Sequence, residues 1–309
     1  MALTYDEIDA HVKDKFIPVL MDQFYYSFPL VTRLLSKNKV IYDSGAKIDV
    51  PVLYGDLNAG WYAGLDQFDI STKQTTTLAK FDWKQLYVNV TLDGETELKV
   101  EGDEKILSII ATKMDNAQKT FTKMLEEALF ATAWANTKYI IPLYYALAGT
   151  GVTYGEISKT TYTWWRGQNN TTGGAFSMSM FQSMYGSCCD GAIAPDLIIT
   201  TQAIYDKIWA RVQPSQRGDM TNAPDLARVG YTGISFNKAT IMVDNYCPTG
   251  YAFFLNTDFW KLVVHRKRNM FWTPPKVPLD QDAWVRQLLW AGAMICTAPR
   301  WSGYISSIT

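Results

Sequence analysis

Between residues 44 and 134 the hydrophobic pattern changes period once, and its two halves have different needs. Lys47-Ile48-Asp49-Val50 alternates polar and apolar, the period of a half-exposed strand. Pro51 has no N–H to give to a ladder, which places that strand at an edge. A breaker-rich tip follows Tyr54, with Gly55, Asp56, Asn58, Gly60, Trp61 and Gly64. The return arm, residues 71–77, is β-prone but not apolar. It leads into Phe81, Trp83, Leu86, Val88 and Val90, a strand rejoining a core. The pattern predicts an extended ribbon with almost nothing of its own to bury. From Gly45 to Gly60 a straight arm spans roughly 50 Å at about 3.3 Å per residue. A compact chain of this length has a radius of gyration of only about 19 Å. A straight ribbon would therefore leave the body, and it needs something to lie on.

The second half has helical period. Gly102-Asp103-Glu104 supplies a break and then negative charge, which the helix dipole favours at an N-terminus. Leu107, Ile110, Met114, Ala117, Phe121, Met124 and Ala128 follow at alternating steps of three and four. They predict one helix over 103–134, about 45 Å long, with a narrow apolar seam. Lys105, Lys113, Asp115, Lys119, Lys123 and Glu127 occupy the other faces. The seam covers barely three heptads and contains two alanines, so a helix laid across a sheet fits better than a coiled coil.

Upstream, residues 4–37 pattern as one or two amphipathic helices that precede any core element, an arm. Downstream, residues 149–174 are Gly-rich and loop-like. An alternation of helix (176–185), strand (197–200), helix (202–212) and strands (234–243 and 251–255) predicts an α/β lobe, with a polar loop at 214–225. Aromatic, strand-like segments at 260–265, 284–289 and 295 onward complete the chain, with Pro274, Pro275 and Pro278 in a connecting loop.

Composition and charge narrow the function. The 309 residues are 48% hydrophobic and 14% aromatic, which requires a packed core and excludes a disordered chain. Net charge is −1, and the run His265-Arg266-Lys267-Arg268 is the only dense basic cluster, so nothing points to tight nucleic-acid binding. The N-terminus carries no signal-peptide core, and the longest apolar stretches are too short to span a bilayer. Cys188, Cys189, Cys247 and Cys296 match no zinc or redox spacing and are expected as free thiols.

Chemistry is sparse. Asp93, Glu95, Glu97, Glu101, Asp103 and Glu104 crowd together, but Gly94 directly after the first Asp breaks the calcium-loop pattern. A solvated loop feeding a helix N-terminus is the simpler reading. Gly149-x-Gly151-x-x-x-Gly155 has the wrong spacing for a dinucleotide loop. His11 and His265, the only histidines, sit near no nucleophile motif. No catalytic, metal or cofactor site is expected.

After the Gly-rich loop stands Thr160-Thr161-Tyr162-Thr163-Trp164-Trp165-Arg166. With that segment in that place, and a ribbon followed by a long helix before it, the chain resembles the tailed-bacteriophage major capsid proteins of the HK97 fold. The resemblance covers nearly the whole length and implies an α+β class with five parts. These are an N-terminal arm (1–43), an extended β-hairpin E-loop (44–84), and a peripheral domain with spine helix and Gly-rich loop (85–174). An axial α/β domain (175–255) and returning strands (256–309) complete it. It implies self-assembly into pentamers and hexamers of an icosahedral head around double-stranded DNA, with no enzymatic activity. Residues 44–84 would clamp a neighbouring subunit, and Pro214–Asp225 would lie near the capsomer axis. Tyr162, Trp164, Trp165 and Arg166 are expected to be structural, with Arg166 pairing to a carboxylate.

Two departures from the family matter. Some members carry a long cleaved N-terminal scaffolding segment, whereas this chain starts almost at the arm, so a separate scaffolding protein is expected, beside a portal and a decoration protein. Some members crosslink through a ribbon lysine, but Lys47, Lys73 and Lys80 all lie away from the glycine-rich tip, so no crosslink is expected. An encapsulin-type nanocompartment shares the fold and is the nearest alternative. The aromatic richness and carboxylate cluster also admit a carbohydrate-binding or carbohydrate-active protein.

Overall fold

A computed structural model describes residues 29–95, 103–134, 137–212 and 234–309. Helix α1 (Pro29–Ser36) leads into strands β1 (Val40–Asp43), β2 (Ile48–Leu53), β3 (Thr76–Phe81) and β4 (Lys84–Asp93). The spine helix α2 (Asp103–Leu129) and the short α3 (Leu143–Leu147) follow. Strands β5 (Thr153–Tyr154) and β6 (Ile157–Ser158), a 3-10 turn (Thr163–Trp165) and β7 (Gln168–Asn170) lead to α4 (Met178–Ser187). Then come β8 (Leu197–Thr200), α5 (Gln202–Val212), β9 (Ile234–Phe236), β10 (Ala239–Val243) and β11 (Ala252–Leu255). Strands β12 (Trp260–His265), β13 (Phe271–Trp272), β14 (Ala283–Cys296) and β15 (Gly303–Ile305) end the chain.

Two sheets carry the body. In the five-stranded sheet, the long β14 pairs with β4 along one edge and with β12 and β13 along the other, and β1 joins β12 in parallel. Alternate β4 residues, Leu86, Val88, Val90 and Leu92, are half-buried, and α2 packs over them. Phe121 of α2 meets Trp290 of β14 edge-on at 6.0 Å. The second sheet runs β7-β15-β11-β8-β10-β9, with β8 and β10 parallel across the α5 connection. Its central strands are buried on both faces and divide their residues by parity. Ile198, Ile241 and Phe254 face Phe181 of α4 and Ile208 of α5, whereas Leu197, Ile199 and Phe253 join the core under the first sheet.

Asp196, just before β8, ties α1 to this sheet. It takes Lys37 Nζ at 2.9 Å, and Thr257 donates through N at 2.7 Å and Oγ1 at 2.6 Å. Burial alone would raise its pKa, but the hydrogen bonds from Thr257 and Lys37 outweigh it and hold the carboxylate below its ordinary value.

The spine helix is shorter than its sequence pattern. It stops at Leu129 because the aromatics beyond it turn to other partners: Phe130 packs on Phe253 at 5.8 Å and Trp134 on Tyr145 at 4.7 Å. The seam also rotates. Met114, Ala117 and Phe121 are buried and Ile110 is half-buried, but the stripe continues through Leu125 and Leu129 rather than Met124, which is 41% exposed. Each step of four residues advances about 40° around a 3.6-residue helix, so repeated fours carry the stripe around the axis. Leu107 lies on α2, and its side chain falls outside the described residues.

Strand β14 is continuous across a stretch whose pattern suggests two strands, 284–289 and 295 onward. Gly292 sits in that gap because a Cβ there would meet a Trp290 ring carbon at 2.4 Å and Val263 O at 2.8 Å. The polar loop 214–225 and the arm before Pro29 lie outside the described residues.

Candidate assembly surface

The ribbon begins as a two-stranded ladder, β2 against β3, in register from Ile48↔Phe81 to Leu53↔Thr76. Six residues a side span only about 20 Å, well short of a fully straight arm. The return arm is strand only from Thr76, because residues 71–75 find no strand partner beyond Thr75 O, which accepts from Tyr54 N and Gly55 N. Pro51 faces Leu78 in a sheet whose two strands are both edges, so its missing N–H breaks nothing between strands.

The ribbon base is not bare, contrary to the reading that it has almost nothing to bury. Ile48, Val52, Ala79 and Phe81 are all buried in the main core. Their seat is the β5–β6 hairpin. Its two-residue turn, Gly155-Glu156, has φ +60° and +63°, the left-handed pair that suits a tight hairpin. A Cβ on Gly155 would meet Phe81 at 2.8 Å and Ala79 at 3.0 Å, so the glycine lets β3 close on the turn. Gly155 O accepts from Lys80 N at 3.0 Å, and Lys47 Nζ reaches Glu156 at 2.7 Å. That exposed pair raises the lysine pKa, first through the hydrogen bond to Glu156.

The Tyr162–Arg166 segment forms the rest of the seat. Trp165 is buried and donates Nε1–H to Tyr154 O at 2.9 Å. Trp164 is half-buried and stacks on Tyr54, with ring centroids 4.9 Å apart. Tyr162 is exposed beside it. Among the described residues Arg166 pairs with no carboxylate. It donates instead to the backbone carbonyls of Lys159 at 2.6 Å and Thr160 at 2.8 Å, because the segment folds back on itself and leaves those carbonyls pointing at the guanidinium. Lys159 itself is wholly buried, a position no sequence pattern marks. Its ammonium donates to the carbonyls of Ala146, Ala148 and Tyr145, and burial draws its pKa down to about 7.

Beyond Leu53 the ribbon becomes an uncovered tip. Asn58 Nδ2 ties it across to Ser71, at 2.9 Å to O and 2.8 Å to Oγ, and Asp66 caps Ala63 N at 2.8 Å. Tyr62 and Phe68 meet edge-on at 5.0 Å. Outside this small cluster the apolar side chains touch little: Trp61 is 104% and Leu65 102% exposed. Gly60 and Gly64 have open space where a Cβ would stand.

Among the described residues no three His, Cys, Asp or Glu side chains converge as metal ligands. All four cysteines are free, with burial raising the pKa of Cys188, Cys247 and Cys296. His265 accepts from Lys267 N in the basic 3-10 turn after β12. No described helix is long and apolar enough to cross a membrane.

No protein-family model and no curated protein sequence matches the chain. Solved structures do. The capsid asymmetric unit of cyanophage A-1(L) superposes with a TM-score of 0.65 at 16% identity, covering 90% of this chain and 93% of that one. The capsid of a native GTA particle gives 0.62 at 10% identity, over 90% of both chains. The procapsid of satellite phage P4, in a structure that includes the size determination (Sid) protein, gives 0.54 at 10% identity, over 98% of this chain and 97% of that one. The chain has the α+β, HK97-like fold of phage capsid proteins.

Proposed function

We propose that this chain is the major shell subunit of a phage head. Copies assemble into pentamers and hexamers of an icosahedral capsid that encloses double-stranded DNA, and the protein catalyses no reaction. The observation that carries this reading is a capsid fold joined to an apolar ribbon tip that its own chain leaves bare. A stable monomer has no use for a fully exposed Trp61 and Leu65, whereas a subunit in a closed symmetric array can bury both.

In this reading residues 44–84 act as the intersubunit clamp. Lys47, Pro51 and Tyr54 belong to its anchored base, and Gly55, Asn58, Gly60, Trp61 and Gly64 to its tip. The spine seam of Ile110, Met114 and Phe121 packs helix against sheet beneath it. A net charge of −1 suits a container that confines DNA without gripping it, since strong phosphate binding would oppose release. A separate scaffolding protein directs assembly in the host cytoplasm, and a portal completes the head. No lysine sits at the glycine-rich tip, so the mature shell carries no covalent crosslinks.

The test is expression alone and together with the neighbouring genes, followed by sedimentation and electron microscopy. Uniform closed shells that dissociate fully on boiling in denaturant are expected. A protein that stays monomeric with every helper would sink the reading. Shells filled with protein cargo, or a monomer with glycan affinity, would replace it with a nanocompartment or a carbohydrate-binding role.

A further inference from the structure

The five-stranded sheet ends at β1, and that end is open. β1 pairs with β12 in parallel on one side, and among the described residues no strand covers its other side. Leu262 N donates to Lys39 O at 3.1 Å, which fixes the pleat. Residues 39, 41 and 43 turn their backbone groups to β12, so Val40 and Tyr42 turn theirs outward. Of those outward groups, Tyr42 O accepts from Arg266 Nε at 3.2 Å, and the others have no partner among the described residues. Ile41 and Tyr42 project to opposite faces of the sheet, 39% and 44% exposed.

A basic turn stands at the end of this edge. Arg266, Lys267 and Arg268 are all exposed. The turn is held in shape, because His265 Nδ1 accepts from Lys267 N at 3.2 Å and the His265 ring meets Trp83 edge-on at 5.0 Å. Arg266 and Arg268 each give a hydrogen bond to a neutral acceptor, Tyr42 O and Gln85 Oε1, which leaves their charge uncompensated. Among the described residues no carboxylate pairs with any of the three cations. Asp43, the acidic residue on the strand itself, accepts from Ser44 N at 2.7 Å. In a chain of net charge −1 this is an unmatched positive site.

We infer that β1 is a docking edge for an acidic extended peptide, which adds as a further strand and sets its carboxylates against the turn. Two observations select that partner. Alternate outward N–H and C=O groups are matched by another peptide backbone, and Ile41 and Tyr42 offer its side chains one contact on each face. The three uncompensated cations then choose its sign. A nucleic acid would satisfy the turn but has no backbone to pair with the strand. The inference does not depend on the shell reading, since edge and turn belong to one subunit.

The probe is a capped eight-residue peptide of alternating glutamate and valine, added to the full chain and followed by calorimetry and hydrogen-exchange mass spectrometry. Binding is expected, with exchange slowed over residues 40–43 and affinity falling at least fivefold between about 50 and about 300 mM salt. A peptide of the same charge with proline at its central positions is expected to bind at least tenfold more weakly, because proline has no N–H for the edge. Lys267→Glu changes a side chain without a partner among the described residues. It is expected to weaken binding at least fivefold with the thermal melt unchanged. Equal binding of the two peptides would reduce the contact to charge and overturn the added strand. Tighter binding of a short DNA duplex at the same turn would give the site to nucleic acid instead. No binding, or protection that falls outside residues 40–43, would overturn the docking edge and leave the basic turn as a guard against strand pairing.

Discussion

Tyr54 and Trp164, 110 residues apart in the chain, stack face to face, with ring centroids 4.9 Å apart and planes 11° from parallel. The stack lies where the ordered ladder ends and the tip begins, so it fixes the direction in which the tip departs. Aromatic pairs of this kind contribute about 0.5–1.5 kcal/mol beyond their buried area. A double-mutant cycle with Tyr54→Leu and Trp164→Leu, read by urea unfolding, is expected to return a coupling energy in that range. A coupling near zero would mean that the two rings are merely adjacent.

Gly155 should tolerate no side chain. Its φ of +60° and the approach of Phe81 and Ala79 act together, so Gly155→Val is expected to destabilise by on the order of 2 kcal/mol or more. Hydrogen exchange should speed up first along β3, whose Lys80 N–H bonds Gly155 O.

Glu126 on α2 and Asp244 after β10 are both buried. Burial, and then the charge of Asp244, push Glu126 up to about 8, and burial pushes Asp244 up to about 6. The folded chain thus keeps protons that the unfolded chain releases near pH 4. Stability is full below that point and falls as pH rises toward 8, by at most about 1.4 kcal/mol per unit of pKa displacement. Glu126→Gln is expected to flatten the dependence of Tm on pH between about 5 and 8, and to raise Tm at pH 8. An unchanged slope would place the titration elsewhere.

Lys159 runs the other way. With its pKa drawn down to about 7 by burial, the folded chain holds fewer protons than the unfolded one between about pH 7 and 10.5. Its contribution therefore improves as pH rises through that window. Lys159→Met should abolish this alkaline gain. It also strips three carbonyls of their donor, at a loss on the order of 3 kcal/mol. Thermal melts at neutral and alkaline pH check both effects.

Much of the architecture is legible in local pattern. The period-2 run of β4, the strand Leu197–Thr200 and the helix Gln202–Val212 stand where the hydrophobic spacing puts them: Leu197, Ile198, Ile199, Ile204 and Ile208 are buried, and the alternate apolar residues of β4 are half-buried. Two of the misses trace to a partner farther along the chain, and the one at Arg166 to its own segment folding back. Helix α2 ends early because Phe130 and Trp134 are claimed by Phe253 and Tyr145. Arg166 finds backbone carbonyls because its own segment curls under it. The ribbon base is buried because a glycine turn about 75 residues later comes to lie beneath it. Of the candidate surface, the tip shows in sequence as apolar residues among breakers, whereas the seat of its base depends on the hairpin turn at Gly155 and Glu156, far along the chain.

Deleting Gly55–Gly64 isolates the central claim, that the ribbon tip serves other subunits and not its own. Sedimentation velocity and electron microscopy of the deletion, expressed beside the intact chain under the same conditions, give the most direct reading. A folded subunit with an unaltered melt and no closed shells is the expected result. Normal shells from the deleted chain would contradict the claim and reduce the ribbon to decoration.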